Sequence, residues 1–241
     1  MGFRKSILCL FPLIIFLSSC TGRTYYHGIQ MAPMPSIISN THSTEGKNNF
    51  YFGFDGGNVG SVYKREHNYI LRSHYLFLFN TKYSELNFGI TGYKGEYKVN
   101  NFYGYDGIYG YYGYGPELNG NIFFKIQNIS IGLGLYYAYL IEEGDYRQFR
   151  IDVNNSTYYN FDTNLGKHYL SFYPIFKRHL SNSSILTFQC GIGDPGFISP
   201  SFSFHHEHYT LWIGCLPYTI KGFDEQPLRF SSIILGAGYK F

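Results

Sequence analysis

The sequence is short of charge, of cysteine and of long apolar runs. Of its 241 residues only 15% are Asp, Glu, Lys or Arg, the formal net charge is +3, and the basic residues form no cluster or stripe. A nucleic-acid surface is excluded on that ground. Its cysteines, Cys9, Cys20, Cys190 and Cys215, do not make the disulfide framework of a small secreted scaffold. Cys190 and Cys215 read as small apolar side chains on strands. The apolar run at residues 6–16 is too short to cross a bilayer as a helix. Aromatic residues, by contrast, are in excess: 21% of the chain, with 26 Tyr and 23 Phe against one Trp. A soluble core of this size does not need so many.

Arg4 and Lys5 followed by that run form the n- and h-regions of a signal peptide over residues 1–19. The next residues, Leu17-Ser18-Ser19-Cys20, resemble a bacterial lipobox, which implies cleavage before Cys20 and a diacylglyceryl group on its thiol. Lipoprotein-processing enzymes are then partners during biogenesis. Thr21 stands where an Asp would resemble an inner-membrane retention signal, so sorting to the outer membrane is allowed. Residues 20–48, rich in Ser, Thr, Asn, Gly and Pro without a sustained period, read as a flexible periplasmic tether.

From residue 49 onward apolar residues recur at every second position, the mark of strands with two unlike faces. Leu86, Phe88 and Ile90 alternate with Glu85, Asn87 and Gly89; Ile122, Phe124 and Ile126 alternate with Asn121 and Lys125. Several of these stretches run ten residues or more, as a tilted membrane crossing needs. The final stretch places Ile233, Leu235, Ala237, Tyr239 and Phe241 on one face. It resembles the C-terminal β-signal of outer-membrane proteins, which implies recognition by the barrel-assembly machinery. The expected fold is all-β, an antiparallel up-and-down transmembrane β-barrel over residues 49–241. Its strands are expected at 49–60, 69–80, 83–93, 117–127, 129–141, 166–179, 184–193, 198–205, 209–216 and 229–241. That is about ten, with eight or twelve as the alternatives. Tight connections alternate with longer ones, among them 94–116 and 142–165, matching periplasmic turns and external loops. Phe149, Ile151 and Val153 could extend a strand beyond the membrane. Both termini would be periplasmic, with the lipid on Cys20 in the inner leaflet of a Gram-negative-type outer membrane.

With the apolar faces turned to lipid, Arg72, His74, Glu85, Asn87, Glu117, Asn119, Asn121, Lys125, Tyr173, Lys177 and Gln189 point inward. A barrel of this size has little free lumen, so the polar network around Arg72, His74, Glu85, Glu117 and Lys125 either plugs it or gates a narrow pore. The low-complexity tract at 101–115 carries Tyr103, Tyr105, Tyr109, Tyr111, Tyr112 and Tyr114 in an expected external loop. Its rings could meet a surface glycan or protein ligand, or simply extend a strand.

Candidates for chemistry are few. His179-Leu180-Ser181-Asn182 resembles the His-x-Ser-Asn motif of outer-membrane lipid A deacylases, implying Ser181 as nucleophile and His179 as its base. It departs from that pattern in lacking an acid in the next strand and in its distance from the C-terminus. His205, His206 and His208 could bind a metal, although adjacent strand residues face opposite ways. The expectation is a non-enzymatic structural or surface-interaction barrel lipoprotein, free of cofactor beyond the lipid and in contact with outer-membrane lipids. A narrow pore and a lipid-modifying hydrolase are the alternatives.

Overall fold

The computed structural model of the chain describes residues 26–36, 49–59, 66–81, 83–157, 161–194, 198–217 and 230–241. The expected signal peptide and lipobox, residues 20–25 and 37–48 of the tether, and Arg229 lie outside them. Ten antiparallel strands close into a single barrel in which each strand pairs with its neighbours in the chain. They are β1 (Asn49–Asn58), β2 (His67–Asn80), β3 (Ser84–Phe102), β4 (Tyr105–Ile126), β5 (Ile129–Glu143), β6 (Gly166–His179), β7 (Ser184–Gly193), β8 (Ile198–His206), β9 (Tyr209–Pro217) and β10 (Phe230–Lys240). β1 and β10 meet at the seam, Phe52 opposite Tyr239.

Alternation sets the two faces. On β6 the outward residues between His168 and Arg178 are Leu170, Phe172, Pro174 and Phe176, while Tyr169, Ser171, Tyr173, Ile175 and Lys177 are buried inside. At about 3.3 Å per residue and a tilt of about 40°, this stretch rises roughly 25 Å, the height of a lipid-facing belt. Aromatic rings mark both rims. Tyr69, Tyr112 and Tyr114 are exposed at one rim, and at the other Tyr239 packs against Tyr209 and Phe241 with centroids 5.1 and 5.0 Å apart. The second rim holds the tight turns and Phe241 and is called the turn end; the first is the loop end.

Three features of the loop end differ from expectation. Residues 94–116 are not a loop: β3 and β4 run on beyond the belt as one hairpin, closed at Tyr103 and Gly104 with φ of 50° and 86°, a turn that favours glycine. Above the belt the outward positions hold Lys94, Glu96 and Lys98, exposed to water. The Tyr/Gly tract follows from cross-strand packing. Tyr93 lies opposite Gly113, and Gly95 opposite Tyr111. A Cβ on Gly113 would stand 2.5 Å from the Tyr93 ring, and one on Gly95 would stand 2.3 Å from that of Tyr111. Each ring occupies the space its partner glycine leaves.

Residues 149–153 do not extend a strand either. They belong to a helix, α1 (Asp145–Ser156), whose buried face is Tyr146, Phe149, Arg150 and Val153, a helical spacing. Gly144 starts it at φ 112°, where an added Cβ would meet the Gly110 carbonyl at 2.7 Å. The helix leans on the hairpin through Tyr97 against Tyr146 (centroids 4.6 Å) and Tyr109 against Phe149 (4.9 Å).

The third difference concerns the tether. Residues 26–36 lie inside the barrel, with Gly28–Met31 forming a 3-10 turn. His27, Ile29, Ala32 and Met34 are all buried. The segment enters at the loop end and descends, so part of the expected flexible linker is a plug.

Candidate functional site

The lumen is organised in three layers, and the plug takes part in two. At the loop end the Gly28 amide donates to Glu142 Oε2 at 2.6 Å, while Arg150 Nη2 donates to Glu142 Oε1 at 2.6 Å. Arg150 Nη1 reaches the Tyr26 carbonyl at 2.7 Å. Asn68 Nδ2 donates to the Gly28 carbonyl at 2.8 Å, and Tyr111 donates to Asn68 Oδ1 at 2.6 Å. Lys167 bridges Gln30 Oε1 (2.7 Å) and Asp162 (3.2 Å). The Tyr111 ring fixes the plug sterically, because a Cβ on Gly28 would sit 2.2 Å from it. His27, buried beside Arg150, is held low, to about 4, first by its burial and then by that guanidinium. Near neutrality it is therefore uncharged, and its approach to Asp162 at 3.8 Å is not an ion pair.

In the middle layer Arg72 Nε pairs with Asp55 Oδ1 at 2.7 Å and Nη1 donates to the Pro33 carbonyl at 2.8 Å. His74 lies between two carboxylates, Nε2 at 3.0 Å from Asp55 and Nδ1 at 2.8 Å from Glu117. Each ring nitrogen of His74 thus has a carboxyl group within hydrogen-bond reach, and Arg72 and His74 share this layer with Asp55 and Glu117. Tyr136 donates to Glu117 at 3.2 Å, and Gln189 holds the Pro35 carbonyl at 3.0 Å. The space left beside Ser36 is a cavity of about 20 Å³, lined by Asp55, His74, Asn87, Glu117 and Tyr136, room for a water molecule or so.

The layer nearest the turn end is closed by Lys177 and Glu85, with Nζ 2.8 Å from each carboxylate oxygen. Asn121 also donates to Glu85, and Tyr173 bonds to Asn119 and Asn121. Lys177 further sits 3.8 Å from the Phe123 ring centroid.

Of the network expected from sequence, Arg72, His74, Glu85 and Glu117 are buried in the lumen, but Lys125 is exposed near the turn end. Lys177 takes the place beside Glu85. Asp55, Glu142 and Arg150 were not in the expected set. Asp55 carried a signal, standing on the face of β1 opposite Phe50, Phe52 and Phe54.

The six tyrosines of the tract do not form one patch. Tyr111 is buried on the plug, Tyr105 and Tyr109 pack on Phe149, Tyr112 and Tyr114 face the belt rim, and Tyr103 stands exposed at the hairpin turn. His179 and Ser181 are likewise separate. His179 meets Ser130 at 3.1 Å, and Ser181 lies in the turn against Ser183 at 3.3 Å. The three histidines diverge: His205 is buried between Ser203 and Thr210, His206 bonds Ser184, and His208 bonds the Lys240 carbonyl. Cys190 and Cys215 are free thiols. Among the described residues no group of three or more His, Cys, Asp or Glu could hold a metal ion.

No protein-family model matches the chain, and no curated protein does. Among solved structures it is similar to the outer membrane protein OprG from Pseudomonas aeruginosa, with 9% identity, 80% of this chain and 95% of that one covered, and a TM-score of 0.37. It is also similar to Ail, the attachment invasion locus protein of Yersinia pestis, with 11% identity, 82% and 100% covered, and a TM-score of 0.29. Likenesses of this order leave the functional reading to the chain's own residues: a closed ten-stranded antiparallel barrel with an apolar exterior and a polar lumen filled by its own N-terminal segment.

Proposed function

We propose that the protein is a non-conducting barrel of a Gram-negative-type outer membrane that presents its β3–β4 hairpin and α1 at the cell surface, with Cys20 acylated. The even strand count, the belt of roughly 25 Å and the terminal aromatic strand support that membrane, and the lipobox supports the acylation. The observation that carries the sealed reading is the plug. Residues 26–36 are held by side chains of β2, β5, β6, β7 and α1. A structural or interaction role needs no open path, and the residues named for hydrolysis or metal binding do not converge.

In planar bilayers the folded protein is expected to give no steady ion-sized steps, and a variant lacking residues 26–36 and carrying Glu85→Ala and Lys177→Ala, which opens the layer nearest the turn end as well, is expected to give them. Steady conductance from the unaltered protein would sink the sealed reading. A second reading, a pore that opens when the segment withdraws, is favoured by one observation. The hydrogen bonds that hold the plug run through four of its carbonyls, one amide and the Gln30 side chain, groups that water can serve instead. Brief openings of the unaltered protein, abolished by a covalent link between plug and wall, would select it.

A further inference from the structure

The plug fixes the end of the barrel from which the chain emerges. Tyr26 lies at the loop end, its carbonyl held by Arg150 of α1, and from there the segment runs inward past Asn68 and then Arg72, two inward positions further down β2. Phe241 is at the opposite end, its amide bonded to the Phe50 carbonyl. Cys20 precedes Tyr26 by six residues, a reach of about 20 Å when fully extended. From Glu142 down β5 to Ile129 the barrel falls roughly 33 Å at the rise and tilt used above. That path is filled by the plug and the polar layers. A route over the rim and down the outside is longer still. Six residues therefore cannot bring Cys20 to the turn end while the plug is seated. The nearer bilayer boundary lies at the loop end, where Tyr112, Tyr114 and Glu143 mark the belt's edge.

We propose that the barrel is threaded by its own N-terminus, so that the acyl chains on Cys20 enter the outer leaflet at the loop end. This replaces the inner-leaflet, periplasmic placement expected from sequence, and it rests on the proposed outer-membrane orientation with loops outward.

The test uses the full chain expressed in a Gram-negative host, with Cys190→Ala and Cys215→Ala removing the two outward-facing thiols. Thr24→Cys or Ser181→Cys is then added, and folding is checked by the heat-dependent gel shift. A membrane-impermeant maleimide should label Thr24→Cys equally in intact and permeabilised cells, and Ser181→Cys, at the turn end, only after permeabilisation. Labelled palmitate should be incorporated and lost in Cys20→Ala. Protection of both thiols until permeabilisation overturns the threading and leaves the orientation standing. Labelling of Ser181→Cys in intact cells overturns the orientation, and the threaded placement with it. Failure to incorporate palmitate overturns the outer-leaflet anchor alone.

Discussion

At the mouth of the barrel a single buried carboxylate serves two masters: Glu142 accepts from the backbone of the plug and from Arg150 of α1, the helix packed on the inward face of the hairpin. Removing Arg150, its cation partner, leaves an uncompensated buried charge, which ordinarily costs about 3–5 kcal/mol. His27 is a different kind of residue, buried and uncharged, with no hydrogen bond of ordinary geometry to either ring nitrogen. Its proton affinity when seated corresponds to a pKa of about 4 against 6.5 when free. The free form therefore takes a proton first as pH falls. The stability His27 allows is present in full above about 6.5 and is lost on acidification toward 4, amounting to about 3 kcal/mol by the end of that window. Seating of the plug, followed by protease protection of residues 26–36, is expected to weaken between those pH values. His27→Gln should flatten that dependence, and an unchanged slope in the variant would remove His27 from the account.

The elements show where periodicity carries information and where it does not. β6 and β7 match their expected bounds because their alternation is unbroken and turn residues stop it on either side. β3 and β4 run beyond their expected bounds, since Lys94, Glu96 and Lys98 have the composition of a loop. Outside the bilayer the outward face of a strand meets water, so its residues turn polar while its hydrogen bonding continues. In α1 the residues at 149, 151 and 153 alternate by accident, and the helical set at 146, 149, 150 and 153 is what the hairpin buries. The plug has no period at all. Its order comes from the wall around it, which no local pattern can announce. Its placement can be tested covalently. A Cβ on Gly191 would stand 3.4 Å from that of Met34, near the separation a disulfide spans. Met34→Cys with Gly191→Cys is thus expected to oxidise to a link visible as altered non-reducing gel mobility after boiling. Free thiols in the folded, oxidised variant would mean that the segment lies elsewhere.

For the molecule as a whole, the inside-out arrangement was legible from parity alone, whereas the pairing of charges was not. Lys125 and Lys177 share inward parity, yet only Lys177 lies at the depth of Glu85, 92 residues away in sequence. Depth in the bilayer is equally a property of the assembled barrel. Phe172, exposed near mid-belt, should resist Arg strongly, with a loss of about 2–4 kcal/mol in folding into lipid vesicles. Lys98→Glu, above the belt, should change it by under about 0.5 kcal/mol. Equal costs at the two sites would contradict the placement of the membrane.

The seam between β1 and β10 carries a further consequence, one of time rather than energy. With Cys20 acylated as proposed, the segment is held at both ends, and a closed ring cannot admit it, so residues 26–36 must already lie within the curling sheet when those strands meet. The last pairing would then trap the first residues, making assembly an ordered and one-way event. A bulky folded domain attached ahead of Tyr26 would have to cross before that moment or stall the ring half shut.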